Sequence, residues 1–248
     1  MAIIGIIGGS GLDNPDIFSN PRDETAKTPY GEPSSPLKHG IIDGVKVVLI
    51  ARHGREHAIP PTQVNFRANI SALKNAGCSH ILATTAVGSL KEEIKRGDIV
   101  IIDQFIDFTK QRKMTFHESF APGKPVHQPM AEPYDRRLRD LLIDECARKK
   151  YPFHPKGTVI TIEGPRFSTR AESLMFRGFG ADIINMSVST ETALANEAGI
   201  PYAAVAMSTD YDCWKTDEEP VSWDAIAKVF AENAQKVTVL LKSVISKI

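Results

Sequence analysis

The sequence predicts an α/β protein: one domain over residues 1–248, with a mixed, largely parallel central sheet flanked by helices. Three observations carry that expectation. Short, near-continuous apolar runs such as Val45-Lys46-Val47-Val48-Leu49-Ile50-Ala51 suit strands that are covered on both faces. Longer stretches with apolar residues at helical spacing separate these runs, and strands alternating with helices build parallel sheets. No internal repeat, low-complexity tract or interdomain linker interrupts the alternation.

Strands are expected at 3–7, 45–51, 81–86, 99–108, 158–163, 183–186 and 202–208, each rich in β-branched or other apolar residues. Helices are expected at 64–76, 135–150, 169–179, 190–198 and 222–247. The second of these sets Leu138, Leu141, Leu142 and Glu145 at helical spacing and ends on basic residues, as the helix dipole favours. The third opens Thr169-Arg170-Ala171-Glu172, which matches the S/T-x-x-E capping box. Segments 29–36 and 110–133 are rich in turn formers and read as surface loops. The second is long for a structureless connection, and such loops often serve as lids.

Composition narrows the function. The 248 residues are 42% hydrophobic and 24% charged, which excludes a disordered or fibrous chain. Thirty basic residues balance thirty acidic ones, so no net field draws the molecule to nucleic acid or an anionic membrane. Cys78, Cys146 and Cys213 form no CxxC pair and read as reduced thiols of a cytoplasmic protein. The apolar N-terminus meets Gly8-Gly9 too soon for a signal peptide or a membrane span.

Candidate chemistry clusters at strand ends. Gly8-Gly9-Ser10-Gly11 follows the first strand and offers backbone N–H groups and a hydroxyl to an anion, although an ordinary tight turn reads the same way. Its spacing is neither the dinucleotide fingerprint nor a P-loop. Arg52-His53-Gly54-Arg55-Glu56-His57 follows the second strand. His53, Glu56 and His57 match H-x-x-E-H, the zinc pattern of a hydrolase, but Gly54 and Pro60-Pro61 work against the helix that pattern needs. Two guanidiniums and two imidazoles there also suit phosphate, with Arg52 fit for a bidentate contact, or simply a solvated loop. Thr85 and Ser89 close the third strand. Ligands of parallel sheets sit beyond the carboxyl ends of strands, so three such ends together point to a phosphate site. Asp210 and Asp212, spaced i, i+2 after the last strand, fit either a ligand edge or an Asx turn.

These residues, with 65–69, 103–107 and the run Glu163-Gly164-Pro165-Arg166-Phe167-Ser168-Thr169-Arg170-Ala171-Glu172-Ser173, recur in order along nearly the whole chain. Together they resemble the trimeric class of purine nucleoside phosphorylases, and within it the branch that acts on S-methyl-5′-thioadenosine. The resemblance implies phosphorolysis to adenine and 5-methylthioribose 1-phosphate by a homotrimer, or a hexamer of two trimers. Neither metal nor organic cofactor is implied, and inorganic phosphate is a co-substrate. Ser10, Arg52, His53, Thr85, Ala86 and Ser187 would hold phosphate. Phe167 would pack on the purine with Ser168 nearby, Met186 would lie under the ribose, and His127 would approach the 5′ end from a neighbouring subunit. Asp210 and Asp212 would face N7 and the 6-amino group. Where the family reads N-M-T-x-V-P-E-V, this chain reads Asn185-Met186-Ser187-Val188-Ser189-Thr190-Glu191-Thr192, and Ser187 keeps a hydroxyl for phosphate.

The chemistry agrees with these implied roles. A carboxylic acid can protonate N7 of the leaving purine, a task for Asp210, while Asp212 orients the amino group. A 6-amino group donates and suits carboxylates, whereas a 6-oxo group accepts, so the pair favours adenine. The sequence ends soon after its last helix, where longer family members carry a tail, which implies a more open 5′ pocket. The sequence also fits a broader adenosine phosphorylase, a methylthioinosine phosphorylase, and a nucleoside-binding regulatory protein without turnover.

Overall fold

The computed structural model describes residues 2–9, 17–218 and 222–248. Its sheet contains β1 (Ile3–Gly8), β2 (Ser19–Glu24), β3 (Leu37–Ile42), β4 (Val45–Ala51), β5 (His80–Ser89), β6 (Ile99–Ile101), β7 (Gln104–Phe108), β8 (Phe153–His154), β9 (Thr158–Ile162), β10 (Ile183–Asn185) and β11 (Tyr202–Tyr211). The helices are α1 (Phe66–Asn75), α2 (Arg136–Lys149), α3 (Arg170–Gly178), α4 (Val188–Glu197) and α5 (Trp223–Ile245), with a 3₁₀ turn at Pro61–Gln63. No described helix is long and apolar enough to cross a membrane.

β5 is the hub. It lies parallel to β1 on one side and β11 on the other, then Gly88 and Ser89 pair antiparallel with β10. One path runs β2-β3-β4-β1-β5-β10-β9-β7, and β11 leads off it to β6 and β8. The sheet is mixed, with its central β4-β1-β5-β11 block parallel.

The apolar strands are covered on both faces. In β4, Val48 and Ile50 join one core while Val47 and Leu49 join the other. Side chains alternate across a strand, so both faces must be apolar for both to be buried. Ile70 and Leu73 of α1 and Leu194 of α4 cover the first face; Leu138 and Leu142 of α2 and Leu240 and Leu241 of α5 cover the second.

The structure corrects the sequence expectation in two places. Segment 99–108 is two strands, not one: β6 pairs antiparallel with β11, and β7 pairs parallel with β9. Asp103 marks the break, its carboxylate accepting from Gly157 N (2.9 Å) and its own N–H donating to Gly157 O (3.3 Å). β2, β3 and β8 were not expected. Every residue of β2 is exposed, so it carries no apolar pattern; Pro21 within it fits an edge strand held by β3 alone.

Thr169 and Glu172 form the reciprocal capping box of α3, with Thr169 N–H to Glu172 Oε2 at 2.8 Å and Glu172 N–H to Thr169 Oγ1 at 3.2 Å. Thr169→Ala is expected to cost about 0.5–2 kcal/mol in urea unfolding, and Thr169→Ser to retain most of it.

Candidate active site

The carboxyl ends of β4, β5, β10 and β11 converge on one pocket of about 360 Å³. Arg52, His53, Thr85, Ala86 and Ser187 line it together, although they come from three separate stretches of chain. Ser10 lies outside the described residues.

Thr85 is buried in the β5 wall, where its Oγ1 accepts from Asn185 Nδ2 at 3.2 Å. Asn185 in turn accepts from Thr161 Oγ1 at 2.8 Å, so β9, β10 and β5 fix one another beneath the pocket. Ser187 is the N-cap of α4, is buried, and makes no side-chain capping bond. Pocket, hydroxyl and helix N-terminus therefore coincide, an arrangement that favours an anion. Ser189 and Thr190, where the family motif has Val-Pro, are turned to other partners. Ser189 Oγ donates to Asp107 Oδ1 (3.3 Å), and Thr190 Oγ1 accepts from Arg112 (3.4 Å).

Arg52 borders the pocket, but its bidentate face is taken. Nε and Nη2 donate to the two oxygens of Glu191 at 2.5 and 2.9 Å, and Nη1 donates to Thr84 O at 2.8 Å. The fork that suits a bidentate phosphate contact is thus engaged by Glu191 of the same chain, and Arg52 meets the pocket from beside that pair. His53 bonds through Nδ1 to Ile59 O (2.8 Å), and its ring lies 4.5 Å from that of His57. Segment 53–57 is a turn and not a helix: Gly54 has φ +77° and His57 φ +54°. Among the described residues no His, Cys, Asp and Glu side chains group as a metal site.

Asp210 and Asp212 line the same pocket, 7% and 3% exposed. The register between β11 and β5 slips between Ser208 and Asp210, a bulge centred on Thr209. Gly88 faces the pair: a Cβ there would stand 3.0 Å from Asp210 Oδ1, tighter than ordinary contact. Thr209 Oγ1 donates to Asp210 Oδ2 at 2.8 Å, and Ser168 Oγ donates to Asp212 Oδ2 at 2.6 Å. Burial pushes the Asp210 carboxyl up to about 6, with the neighbouring Asp212 charge adding to it. The Thr209 hydroxyl and the Arg96 charge oppose the rise.

Phe167 and Met186 complete the wall, Phe167 being 40% exposed. Gly164, at φ +69°, lets the loop close onto Met186: a Cβ would fall 2.5 Å from its Sδ. His127 is exposed and packs edge-on to Phe120 (5.8 Å), and it does not line this pocket of its own chain.

A sequence profile of the phosphorylase superfamily matches residues 3–246. The chain belongs to the phosphorylase superfamily.

Within the superfamily it is similar to the S-methyl-5′-thioadenosine phosphorylase of Xenopus tropicalis, 56% identical over 99% of this chain and 88% of the relative. The enzyme of the same name from Danio rerio is 53% identical over 99% and 88%. Among solved structures, the methylthioadenosine phosphorylase of Schistosoma mansoni in complex with adenine superposes with a TM-score of 0.94. It is 42% identical, with 99% of this chain and 91% of that chain covered. A point mutant described as an adenosine/methylthioadenosine phosphorylase from the same organism, in complex with methylthioadenosine, gives a TM-score of 0.92 at 40% identity, over 99% and 91%.

Sequence reasoning about this superfamily member missed three contributors. Glu191 was visible only as a letter of a motif, and its partner Arg52 is 139 residues away. Tyr202 reads as an ordinary strand residue, yet its hydroxyl donates to Glu191 Oε2 at 2.7 Å. Asn185 sits inside an apolar strand, and an amide in such a run was the one available signal.

Proposed function

We propose that the chain is a pentosyltransferase that cleaves S-methyl-5′-thioadenosine with inorganic phosphate, giving adenine and 5-methylthioribose 1-phosphate. The observation that carries this reading is a buried carboxyl of raised pKa beside a second carboxylate, in one pocket with Thr85, Ser187 and the α4 N-terminus. Superfamily membership and the substrates named for its relatives support the same conclusion.

In this mechanism a phosphate oxygen attacks C1′ as the C1′–N9 bond breaks and its electron pair leaves with the purine. Protonated Asp210 gives its proton to N7, so adenine departs neutral. The developing positive charge on the ribose faces the phosphate that Thr85, Ser187 and the helix N-terminus hold. Asp212, held by Ser168, accepts from the 6-amino group. No organic cofactor or metal enters any step.

Asp210 must be protonated in the free enzyme, so kcat/KM is expected to fall about tenfold per pH unit above about pH 6. The same shift has a sign for stability. A carboxyl raised from about 4 to about 6 on folding binds a proton that the unfolded chain has released, so stability falls as pH rises across that window. A pH–rate profile on methylthioadenosine checks the first; a melting series checks the second.

Two further parts belong to this proposal. The protein works as a homotrimer in the cytoplasm, and His127 reaches the 5′ end of a nucleoside in the neighbouring subunit. The exposed Phe120 and Val126 near it in sequence, 45% and 46% accessible, support a contact there. A second reading, activity on adenosine as well, is favoured by the Schistosoma mansoni relative, whose name includes both nucleosides. Rates on methylthioadenosine, adenosine and inosine at saturating phosphate decide between them. The fastest turnover is expected from methylthioadenosine and the slowest from inosine; equal rates on the first two would establish the broader activity.

A further inference from the structure

Three side chains meet behind the anion end of the pocket, from the turn after β4, from α4 and from β11. Arg52, Glu191 and Tyr202 are each no more than 1% exposed. A buried ion pair is weak evidence for stability, since apolar residues of similar volume often do as well. What such a pair does supply is orientation: a planar guanidinium bonded to both oxygens of one carboxylate has a fixed plane.

We propose that Glu191 and Tyr202 are positioning residues for phosphate, which set the angle at which Arg52 meets the anion. The inference rests on the phosphorolysis reading above. Three donor nitrogens of Arg52 are committed to protein, two on Glu191 and one on Thr84 O. Its Nη1 is also closed in by backbone, since a Cβ on Gly9 would fall 2.5 Å from it and 2.8 Å from Thr84 O. Tyr202 then fixes the carboxylate, with its hydroxyl 2.7 Å from the same Oε2 that binds Nη2 at 2.9 Å.

The charge balance makes orientation matter more. Glu191 offsets the charge of Arg52, so the pair attracts a dianion through the direction of its N–H groups more than through net charge. Losing the Tyr202 hydroxyl leaves Oε2 with one donor fewer and lets the carboxylate, and the guanidinium on it, rotate.

The test uses full-length protein, with phosphate and methylthioadenosine varied separately. Wild type must first show adenine release that saturates with phosphate; if it does not, the phosphorolysis reading itself fails. Given that, Tyr202→Phe is expected to raise the phosphate KM about tenfold, with the nucleoside KM within about twofold. Arg52→Lys raises the phosphate KM as well, and adding Tyr202→Phe to it should change that value by less than about twofold, because both act through one group. An unchanged phosphate KM in Tyr202→Phe, an equal rise in both KM values, or multiplying effects in the double variant would overturn the proposal. Should Tyr202→Phe fail to fold, Glu191→Asp, which keeps the charge but shortens its reach to Arg52, reads the same point. A selective rise in phosphate KM supports the assignment, and an unchanged or lower value contradicts it.

Discussion

Asp210→Ala is expected to lower kcat on methylthioadenosine by about 10²–10⁴-fold, the range that a positioned general acid supplies. The fold should survive. Asp210 is buried, but its carboxyl costs stability when ionised, since burial holds it up at about 6. Removing it also removes the repulsion with Asp212. Asp210→Asn and Asp212→Asn separate the two roles of the pair. An amide at 210 cannot supply the proton to N7, so turnover falls, and an amide at 212 can donate to a 6-oxo group, so in Asp212→Asn the ratio of inosine to adenosine turnover should rise. Kinetics on both nucleosides check this. Near-normal turnover in Asp210→Ala would remove it as the acid, and an unchanged base ratio in Asp212→Asn would remove the base-recognition argument.

Arg52→Met is expected to damage stability severely. It leaves Glu191, 0% exposed, without the guanidinium that binds both of its oxygens. Breaking a buried pair by removing one partner costs about 3–5 kcal/mol, because the remaining charge stays desolvated. Among the described residues, Tyr202 alone would still donate to it. The double variant Arg52→Met with Glu191→Leu is expected to recover most of that stability and none of the phosphate affinity. Urea unfolding beside phosphate-dependent kinetics separates the two effects. A double variant no more stable than Arg52→Met alone would show that packing, not the orphaned charge, causes the loss.

Much of the fold was legible because its signals are local. β1 and β4 are apolar on both faces and lie within contiguous runs, and the capping box of α3 sits within four residues. The edge strand β2 was invisible because an exposed strand needs no apolar pattern. Segment 99–108 read as one strand because apolar residues stand on both sides of Asp103-Gln104. What breaks it is Asp103 bonding to Gly157, a contact between distant residues. The site divides the same way. Asp210 and Asp212 were legible from their spacing, while the bulge at Thr209 and the close approach of Gly88 that set them against the pocket depend on pairing with β5. Arg52 was legible as a group at a strand end. That its fork would be consumed by Glu191 was not, because nothing near residue 52 announces a partner on α4.

The central claim is that phosphate, and not water, cleaves a 6-aminopurine nucleoside here. The most direct measurement is adenine release from S-methyl-5′-thioadenosine with and without inorganic phosphate, with the sugar product identified. The account predicts release that depends on phosphate, with 5-methylthioribose 1-phosphate formed in equal amount to adenine. Adenine released at the same rate without phosphate, alongside free 5-methylthioribose, would contradict it.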